Sequence, residues 1–279
     1  MSEKTEKRVR LAIIDLNNGV PNQGLRGIEN IVRAYPAGGE SELDVQIFDL
    51  RKKGEIPGIG HDIYIASGGP GSPFDGEDQP WQAAFFGLID QVLQFNAGHG
   101  PKKSMFFICY AFQLACRKFE TGTLSRRRSN AFGVSPVCMT SSGRSEPCFA
   151  GLPDPFYAID SRDWQVLGAR IADLESRGMQ VLAIEKSRPH IDLERCAMAI
   201  RFTPELLGTQ FHPEADPSSV KLHLQQEPRR SAIAAARGQE KYNDMLHRLD
   251  DPGGICLTQQ TILPRFLDRA LAALHTQPA

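Results

Sequence analysis

The stretch from residue 104 to residue 113 reads Ser-Met-Phe-Phe-Ile-Cys-Tyr-Ala-Phe-Gln. Its first part, from Ser104 to Ile108, is a short apolar run, which is typical of a buried strand. Residues 111–120 carry apolar side chains at helical spacing and predict a helix. Cys109 is therefore expected in a sharp turn between strand and helix, with its side chain at the helix N-terminus. The backbone N–H groups there favour an anion, so they favour the thiolate form of this cysteine.

A single cysteine on an apolar strand is more often an inert core residue, and Cys109 escapes that interpretation only through a second segment. That segment reads Gly-Thr-Gln-Phe-His-Pro-Glu from residue 208 to 214 and ends another apolar run. His212 is expected at a strand end, because Pro213 stops strand pairing. The carboxylate of Glu214 could hold one ring nitrogen of His212 and leave the other free to take the thiol proton. The competing interpretation is a solvated loop histidine beside a loop glutamate.

A third segment, Ser-Gly-Gly-Pro-Gly-Ser-Pro from residue 67 to 73, also follows an apolar run. Adjacent glycines allow backbone N–H groups to point outward from such a loop. With Cys109 as nucleophile, we expect the N–H groups of Gly69 and Tyr110 to stabilise a tetrahedral oxyanion. The alternative is an ordinary surface turn. A phosphate-binding loop of the Walker type is excluded, because no Gly-Lys-Ser or Gly-Lys-Thr follows.

The order of the predicted elements indicates an α/β fold. Buried strands are predicted at residues 9–16, 43–48 and 62–66, and helices at residues 25–34 and 81–95. Together with the strand before Cys109 they predict a flavodoxin-like, mostly parallel sheet with helices on both faces. In such sheets ligands bind at the carboxyl ends of the strands, where the three segments above end. Short strand-like runs from residue 132 to 211 predict an antiparallel addition to the sheet.

After Glu214 the pattern becomes helical and rich in charge. Helices are predicted at residues 218–226, 231–249 and 262–274. We expect one domain over residues 1–279, in which residues 215–260 form a helical cap over the site or an association surface. A passive surface elaboration is the alternative for the same segment. The basic run at residues 126–128 is expected in a solvated turn after the helix that begins near Ala111.

Composition narrows the classes of protein to consider. The chain has 279 residues, 41% of them hydrophobic, and a formal net charge of −1. A near-neutral chain gives no support for nucleic-acid binding or for an anionic membrane surface. Residues 1–10 are mostly charged and polar, so no secretory segment is expected, and no apolar run reaches membrane-spanning length. The cysteines lack Cys-x-x-Cys spacing, so we expect neither zinc nor a disulfide framework, and a reducing cytoplasmic compartment fits.

The three segments, in this order, resemble the class I (triad) glutamine amidotransferases, in particular the glutaminase domain of GMP synthetase. The family pattern Gly-x-Cys-x-Gly-x-Gln is matched at Cys109, Tyr110 and Gln113, whereas Phe107 and Ala111 stand where glycines are usual. The family pattern Gly-x-Gln-Phe-His-Pro-Glu is matched at every fixed position.

The resemblance implies a Cys-His-Glu triad that releases ammonia from glutamine, or from another γ-glutamyl amide, without metal or organic cofactor. It implies substrate contacts at Gly68, Gly71, Gln113, Ser161 and Arg162. Ser161 and Arg162 stand at the first two positions of a Ser-His-x-Asp pattern that the family often has. Ser161 matches this pattern, whereas Arg162 replaces its histidine. The chain contains no Ser-Gly-Gly-x-Asp-Ser pyrophosphatase loop. The resemblance therefore implies that the partner is a synthetase on a separate chain, or else that the protein is a free-standing γ-glutamyl amide hydrolase.

Homoserine O-acyltransferases are the second enzyme class that the chain resembles, since they share this fold and triad. They have an aromatic residue two before the cysteine, an alanine two after it, and a Ser-Arg pair. The glycine-rich loop and the Gln-Phe before His212 oppose this interpretation, and Gln226 stands where these enzymes need an arginine. A non-catalytic binding protein on the same scaffold is a third hypothesis, which the intact triad disfavours.

Overall fold

The apolar runs of the first half of the chain form parallel strands in the computed structural model, which describes residues 8–36, 43–189 and 192–274. They are β1 (Val9–Asp15), β2 (Leu43–Asp49), β3 (Ile63–Ala66) and β4 (Ser104–Ile108). A later strand, β9 (Leu206–Thr209), lies parallel to β4 on its other side. All residues of β3, β4 and β9 are buried, as expected for strands that are covered on both faces.

The second half of the sheet is antiparallel and consists of β5 (Thr123–Met139), β6 (Phe156–Leu167), β7 (Gln180–Glu185) and β8 (Ala197–Arg201). Over the described residues the nine strands form one sheet in the order β2-β1-β3-β4-β9-β8-β7-β5-β6. This confirms the predicted α/β fold class and the antiparallel addition. The basic run at residues 126–128 lies within β5, so its assignment to a turn is wrong. Arg126 pairs with Trp164 of β6, and the ladder is irregular from there to Ala131.

Helices cover both faces of this sheet. In the described part of the chain they are α1 (Gln23–Ala34), α2 (Leu50–Lys53), α3 (Pro80–Ala97), α4 (Tyr110–Lys118), α5 (Ser141–Arg144), α6 (Ile171–Ser176), α7 (Pro217–Gln225), α8 (Arg229–Arg237), α9 (Gln239–Asp250) and α10 (Leu257–Leu274). A 3₁₀ turn spans Pro147–Phe149, and a π-helical turn spans Pro252–Cys256. None of the helices in the described residues is long and apolar enough to cross a membrane.

Consecutive residues of β4 divide the core into two layers, because side chains of a strand alternate between its faces. Phe106 contacts Phe266 of α10, with ring centroids 5.0 Å apart. Phe107 points to the opposite face and contacts Phe85 of α3 at 6.2 Å and Phe202 at 5.7 Å. The aromatic residue that replaces the usual glycine at position 107 is therefore an integral part of the α3 side of the core.

The helices after Glu214 pack on the antiparallel strands and share a small apolar cluster with them. Its buried members are Ile159, Leu224, Ile233, Tyr242, Met245, Leu249 and Ile255. At Gly133 of β5, where φ is +114°, a side chain would collide with the Met245 sulfur atom, so a glycine allows the close approach of α9. The single helix predicted at residues 231–249 is wrong: the chain breaks at Gly238, whose φ of +91° separates α8 from α9.

Candidate active site

Cys109 occupies the turn between β4 and α4 and has a strained backbone. Its φ of +49° and ψ of −94° lie in a region that residues with a side chain rarely adopt. The backbone N–H of Cys109 donates to the carbonyl oxygen of Thr209 at 2.8 Å. This bond exists because Ile108, the last residue of β4, is in register with Thr209, the last residue of β9. The parallel pairing therefore holds the strained turn and brings Cys109 beside the residues that follow β9.

Three groups surround the thiol of Cys109. The carbonyl oxygen of Ser161 lies 3.6 Å from Sγ, and the amide Nε2 of Gln210 also lies 3.6 Å from it. The third group is the imidazole of His212, whose ring lies beside the cysteine side chain, since a single Cβ atom at Gly68 would meet both. The residue is 5% exposed, so its sulfur lies in a sheltered position rather than on an open surface.

Hydrogen bonds fix both the backbone and the imidazole ring of His212. Its N–H donates to the carbonyl oxygen of Ile159 at 2.9 Å, and its Nδ1 lies 2.7 Å from Oε1 of Glu214. Burial disfavours the charged imidazolium, but the Glu214 carboxylate and a Cys109 thiolate outweigh it, so the pKa of His212 is raised well above its usual value. The site therefore favours the protonated imidazole of His212.

The glycine-rich loop packs directly against this pair. A Cβ atom at Gly68 would lie 3.0 Å from Cε1 of His212 and 3.5 Å from Cβ of Cys109. At Gly69 a Cβ atom would collide with the carbonyl oxygen of Leu16. Arg51 fixes the loop by donating to the carbonyl oxygens of Pro70, at 2.7 Å, and Leu16, at 3.1 Å. The close approach of Gly69 to Leu16 therefore requires glycine, and Gly68 packs tightly on the Cys109–His212 pair.

Tyr110 connects the loop to the helix that starts beside Cys109. Its hydroxyl donates to the carbonyl oxygen of Ser72 at 3.1 Å, and its ring lies under the Arg51 guanidinium at 4.6 Å. Gly71 adopts a φ of +100°, and a side chain there would collide with the Asp75 carboxylate. The structure thus brings the loop and the start of α4 together. The oxyanion roles of the Gly69 and Tyr110 N–H groups stay predictions.

The remaining predicted substrate residues differ in their surroundings. Gln113 is buried and donates from Nε2 to Oε1 of Gln210 at 3.1 Å. Arg162 follows Ser161 on β6, but its side chain is 1% exposed and forms ion pairs with Asp160 at 2.8 Å and Glu185 at 3.5 Å. A substrate would reach this guanidinium only after those pairs rearranged. Substrate binding by Gly68, Gly71, Gln113, Ser161 and Arg162 stays a prediction.

Two glycines on α1, which sequence reasoning missed, accommodate Glu214. A Cβ atom at Gly24 would lie 2.8 Å from Oε1 of Glu214, and one at Gly27 would collide with its carbonyl oxygen. Glycine at two positions three apart in a helix is the sequence signal that could have revealed this contact. The carboxylate is 1% exposed, and its Oε2 has no hydrogen-bond partner among the described residues. The described residues contain no group of three His, Cys, Asp or Glu that could hold a metal ion.

Comparison with known proteins gives one family and a set of similar folds. The family model described as glutamine amidotransferase class-I matches residues 27–227. A comparison with curated proteins found no match.

Three solved structures illustrate the fold similarity. A glutamine amidotransferase from Thermotoga maritima is 16% identical, covers 94% of this chain and 98% of its own, and has a TM-score of 0.65. The glutaminase domain of Trypanosoma brucei CTPS with bound acivicin is 14% identical, covers 74% and 86%, and has a TM-score of 0.53. A putative GMP synthase subunit from Thermoplasma acidophilum is 15% identical, covers 75% and 85%, and has a TM-score of 0.50.

Proposed function

This chain belongs to the class-I glutamine amidotransferases, and from that premise we propose that it hydrolyses the side-chain amide of glutamine and supplies the ammonia to a separate synthetase. The observation that carries the proposal is the grouping of Cys109, His212 and Glu214: a Cβ atom at Gly68 would meet both the His212 ring and the Cys109 side chain, and Nδ1 of His212 lies 2.7 Å from Oε1 of Glu214. A thiol, an imidazole and a carboxylate in this order are the parts that covalent catalysis by cysteine requires.

The reaction proposed for these residues has two halves. The Cys109 thiolate attacks the side-chain carbonyl carbon of glutamine, and the N–H groups of Gly69 and Tyr110 donate to the oxyanion. The intermediate then breaks its C–N bond, while His212 gives its proton to the departing nitrogen, which leaves as ammonia. In the second half His212 takes a proton from water, which adds to the thioester carbon. The C–S bond breaks, and glutamate and the Cys109 thiolate are released.

The proposed role of Glu214 is to orient His212 and to stabilise its positive charge. The short contact to Nδ1 leaves Nε2 as the nitrogen that exchanges protons with the thiol and the substrate. The raised pKa of His212 supports this assignment, because it favours the imidazolium that must protonate the leaving nitrogen.

We further propose that residues 215–260 serve as a cap within a single domain and couple the site to the synthetase. The side chain of Asp216 accepts a hydrogen bond at the N-terminus of α7. Asp216 comes two residues after Glu214, so the helical segment starts beside the site. The same helices pack on Ile159, the residue whose carbonyl oxygen accepts from the backbone of His212. On this basis the purified chain has weak glutaminase activity, which a partner raises.

The test uses the purified full chain and two classes of acyl donor. We expect glutamate and ammonia from glutamine, labelling of Cys109 by an alkylating glutamine analogue, and protection from labelling by free glutamine. Cys109→Ala should abolish the labelling, whereas Cys138→Ala, at a partly exposed cysteine, should retain it. Intact-protein mass spectrometry would detect both kinds of adduct. An acyl adduct from succinyl- or acetyl-coenzyme A, without labelling by the analogue, would favour a homoserine O-acyltransferase instead.

A further inference from the structure

We propose that Gln113 and Gln210 form an amide relay that stabilises the Cys109 thiolate. In this relay Gln210 touches the reacting sulfur and is a catalytic residue, whereas Gln113 acts through Gln210 and is a positioning residue. The proposal rests on the proposed function, in which Cys109 is the nucleophile, and it gives the thiolate a donor that does not belong to the triad.

The geometry supplies a continuous line of amide groups. Gln113 donates from Nε2 to Oε1 of Gln210 at 3.1 Å, and Gln210 directs its own Nε2 at the Cys109 sulfur, 3.6 Å away. Gln210 is 0% exposed, so water does not compete for either end of its side chain.

The backbones of both glutamines are fixed by the elements that also fix the nucleophile. The N–H of Gln113 donates to the carbonyl oxygen of Cys109 at 3.0 Å, within the first turn of α4. The N–H of Gln210 donates to the carbonyl oxygen of Met198 on β8 at 2.8 Å. The relay therefore needs no rearrangement of the backbone to hold the sulfur.

The groups around the sulfur differ in the protonation state that they favour. The carbonyl oxygen of Ser161 is only an acceptor, so its contact with Sγ requires the protonated thiol. The side-chain N–H of Gln210 is only a donor, so its contact is strongest with the thiolate. Without Gln210, the uncharged side of the pocket would keep only the Ser161 carbonyl, which favours the thiol, while His212 and the N-terminus of α4 would still favour the thiolate.

The second amide strengthens the first. When Gln113 donates to Oε1 of Gln210, it polarises that amide and makes its N–H a better donor to sulfur. The charges that face the sulfur are the His212 imidazolium and, behind it, the Glu214 carboxylate. On β6, the neighbouring charges of Asp160 and Arg162 are paired with each other at 2.8 Å.

The relay gives Gln113 a role different from the substrate contact that the family resemblance implies. One N–H of its side-chain amide is donated to Gln210, in the interior of the protein. The two roles are separable, because a substrate contact acts only when glutamine is bound, whereas the relay acts on the free enzyme.

The experiment measures the rate of Cys109 alkylation by iodoacetamide against pH, without glutamine. The variants are Gln210→Met and Gln113→Met, which keep side-chain length and remove the amide. We expect the midpoint of the alkylation profile to rise by about one pH unit in Gln210→Met, a roughly tenfold loss of thiolate below the midpoint, and by a smaller amount in Gln113→Met, which leaves the Gln210 donor in place. The double variant should shift no further than Gln210→Met alone, because the two residues act in series. Gln82→Met, at a buried glutamine of α3, is the matched control and should leave the midpoint unchanged.

Alkylation must be followed on the Cys109 peptide by mass spectrometry, since Cys138 and Cys256 are partly exposed. If Gln210→Met fails to fold, Gln210→Glu keeps the shape of the side chain, and its carboxylate should raise the midpoint further than one unit.

An unchanged or lowered midpoint in a folded Gln210 variant would overturn the relay. A Gln113→Met effect confined to KM for glutamine would overturn the positioning role. Lack of glutaminase activity in the native protein would refute the proposed function, but the alkylation profile would still test the relay.

Discussion

Gly24 leaves the space that the carboxylate of Glu214 occupies: a methyl group at position 24 would lie 2.8 Å from Oε1. That oxygen is the one in contact with Nδ1 of His212. The first turn of α1 thus sets the position of Glu214, and through it the orientation of the imidazole, although no side chain of α1 carries out chemistry. This relationship leads to the first prediction.

We predict that Gly24→Ala lowers kcat by roughly a hundredfold, the cost of a displacement of about 1 Å in a catalytic group. Steady-state glutaminase kinetics measure it. The added methyl group would also lie 2.8 Å from Oδ1 of Asn22, the residue that caps α1. Asn22→Ala therefore serves as a control for loss of the cap, and it should lower the melting temperature while leaving kcat unchanged.

Gly87→Ala is the matched control for the glycine itself. Gly87 lies within α3, and a methyl group there would meet nothing within 4 Å. This variant should keep full activity and gain about 0.5–1 kcal/mol in the free energy of unfolding. Equal activity in the Gly24 and Gly87 variants would contradict the role of α1.

We predict that Cys109→Gly unfolds at a higher temperature than Cys109→Ala, although both lose turnover by up to about a millionfold. The reason is the φ of +49° at this position, which glycine adopts without strain. The difference should be about 1 kcal/mol in the free energy of unfolding. Thermal and urea denaturation of the two variants measure it, and an order of stability opposite to this one would show that the turn stores no strain.

We predict that His212→Asn costs more activity than Glu214→Gln. His212 transfers protons in both halves of the proposed reaction, whereas Glu214 orients and stabilises it. In triads of this kind, loss of the base costs up to roughly a millionfold, and loss of the carboxylate roughly ten thousandfold. Single-turnover rates with saturating glutamine would compare them, and the reverse order would mean that the two roles are misassigned.

We predict that a buried ion pair outside the Cys109–His212–Glu214 group makes the protein sensitive to acid. Glu146 is held by Arg201, with Nε 2.7 Å from Oε2. Burial opposes the charged carboxylate, but the Arg201 contacts outweigh it and lower the pKa of Glu146. A lowered pKa in the folded state gives stability above the pKa of the unfolded chain, about 4.3, which is lost as pH falls through the folded-state value.

Urea denaturation between pH 7 and pH 3 should therefore show a steeper loss of stability in the native chain than in Glu146→Gln. Arg201→Met should destabilise the protein at neutral pH by about 3–5 kcal/mol, because it leaves the buried carboxylate without its partner. Parallel pH profiles for the native chain and Glu146→Gln would show that this pair does not carry the acid sensitivity.

The sequence predicted those parts of the structure that short-range patterns determine. The strand from Ser104 to Ile108 has the predicted bounds, and His212 follows a strand, because apolar runs and a following proline are local signals. The break at Gly238 was missed, since one glycine in a helical pattern is often tolerated.

Contacts between distant segments were predicted less completely. The register of β4 and β9 determines which residues meet at the sulfur, and a sequence of two apolar runs does not specify it. The burial of Arg162 depends on Glu185, 23 residues further along the chain. The fit of α1 around Glu214 likewise joins residues nearly two hundred positions apart. The two glycines of α1 are the only signal of this contact in the sequence.

Ile159 belongs to two structures at once: its side chain packs with α7–α9, and its carbonyl oxygen holds the backbone of His212. The segment that begins just after Glu214 therefore packs on the same residue that fixes the backbone of His212. In the proposed function, a synthetase bound to those helices would act on His212 through Ile159, and it would set the rate of proton transfer without contacting glutamine.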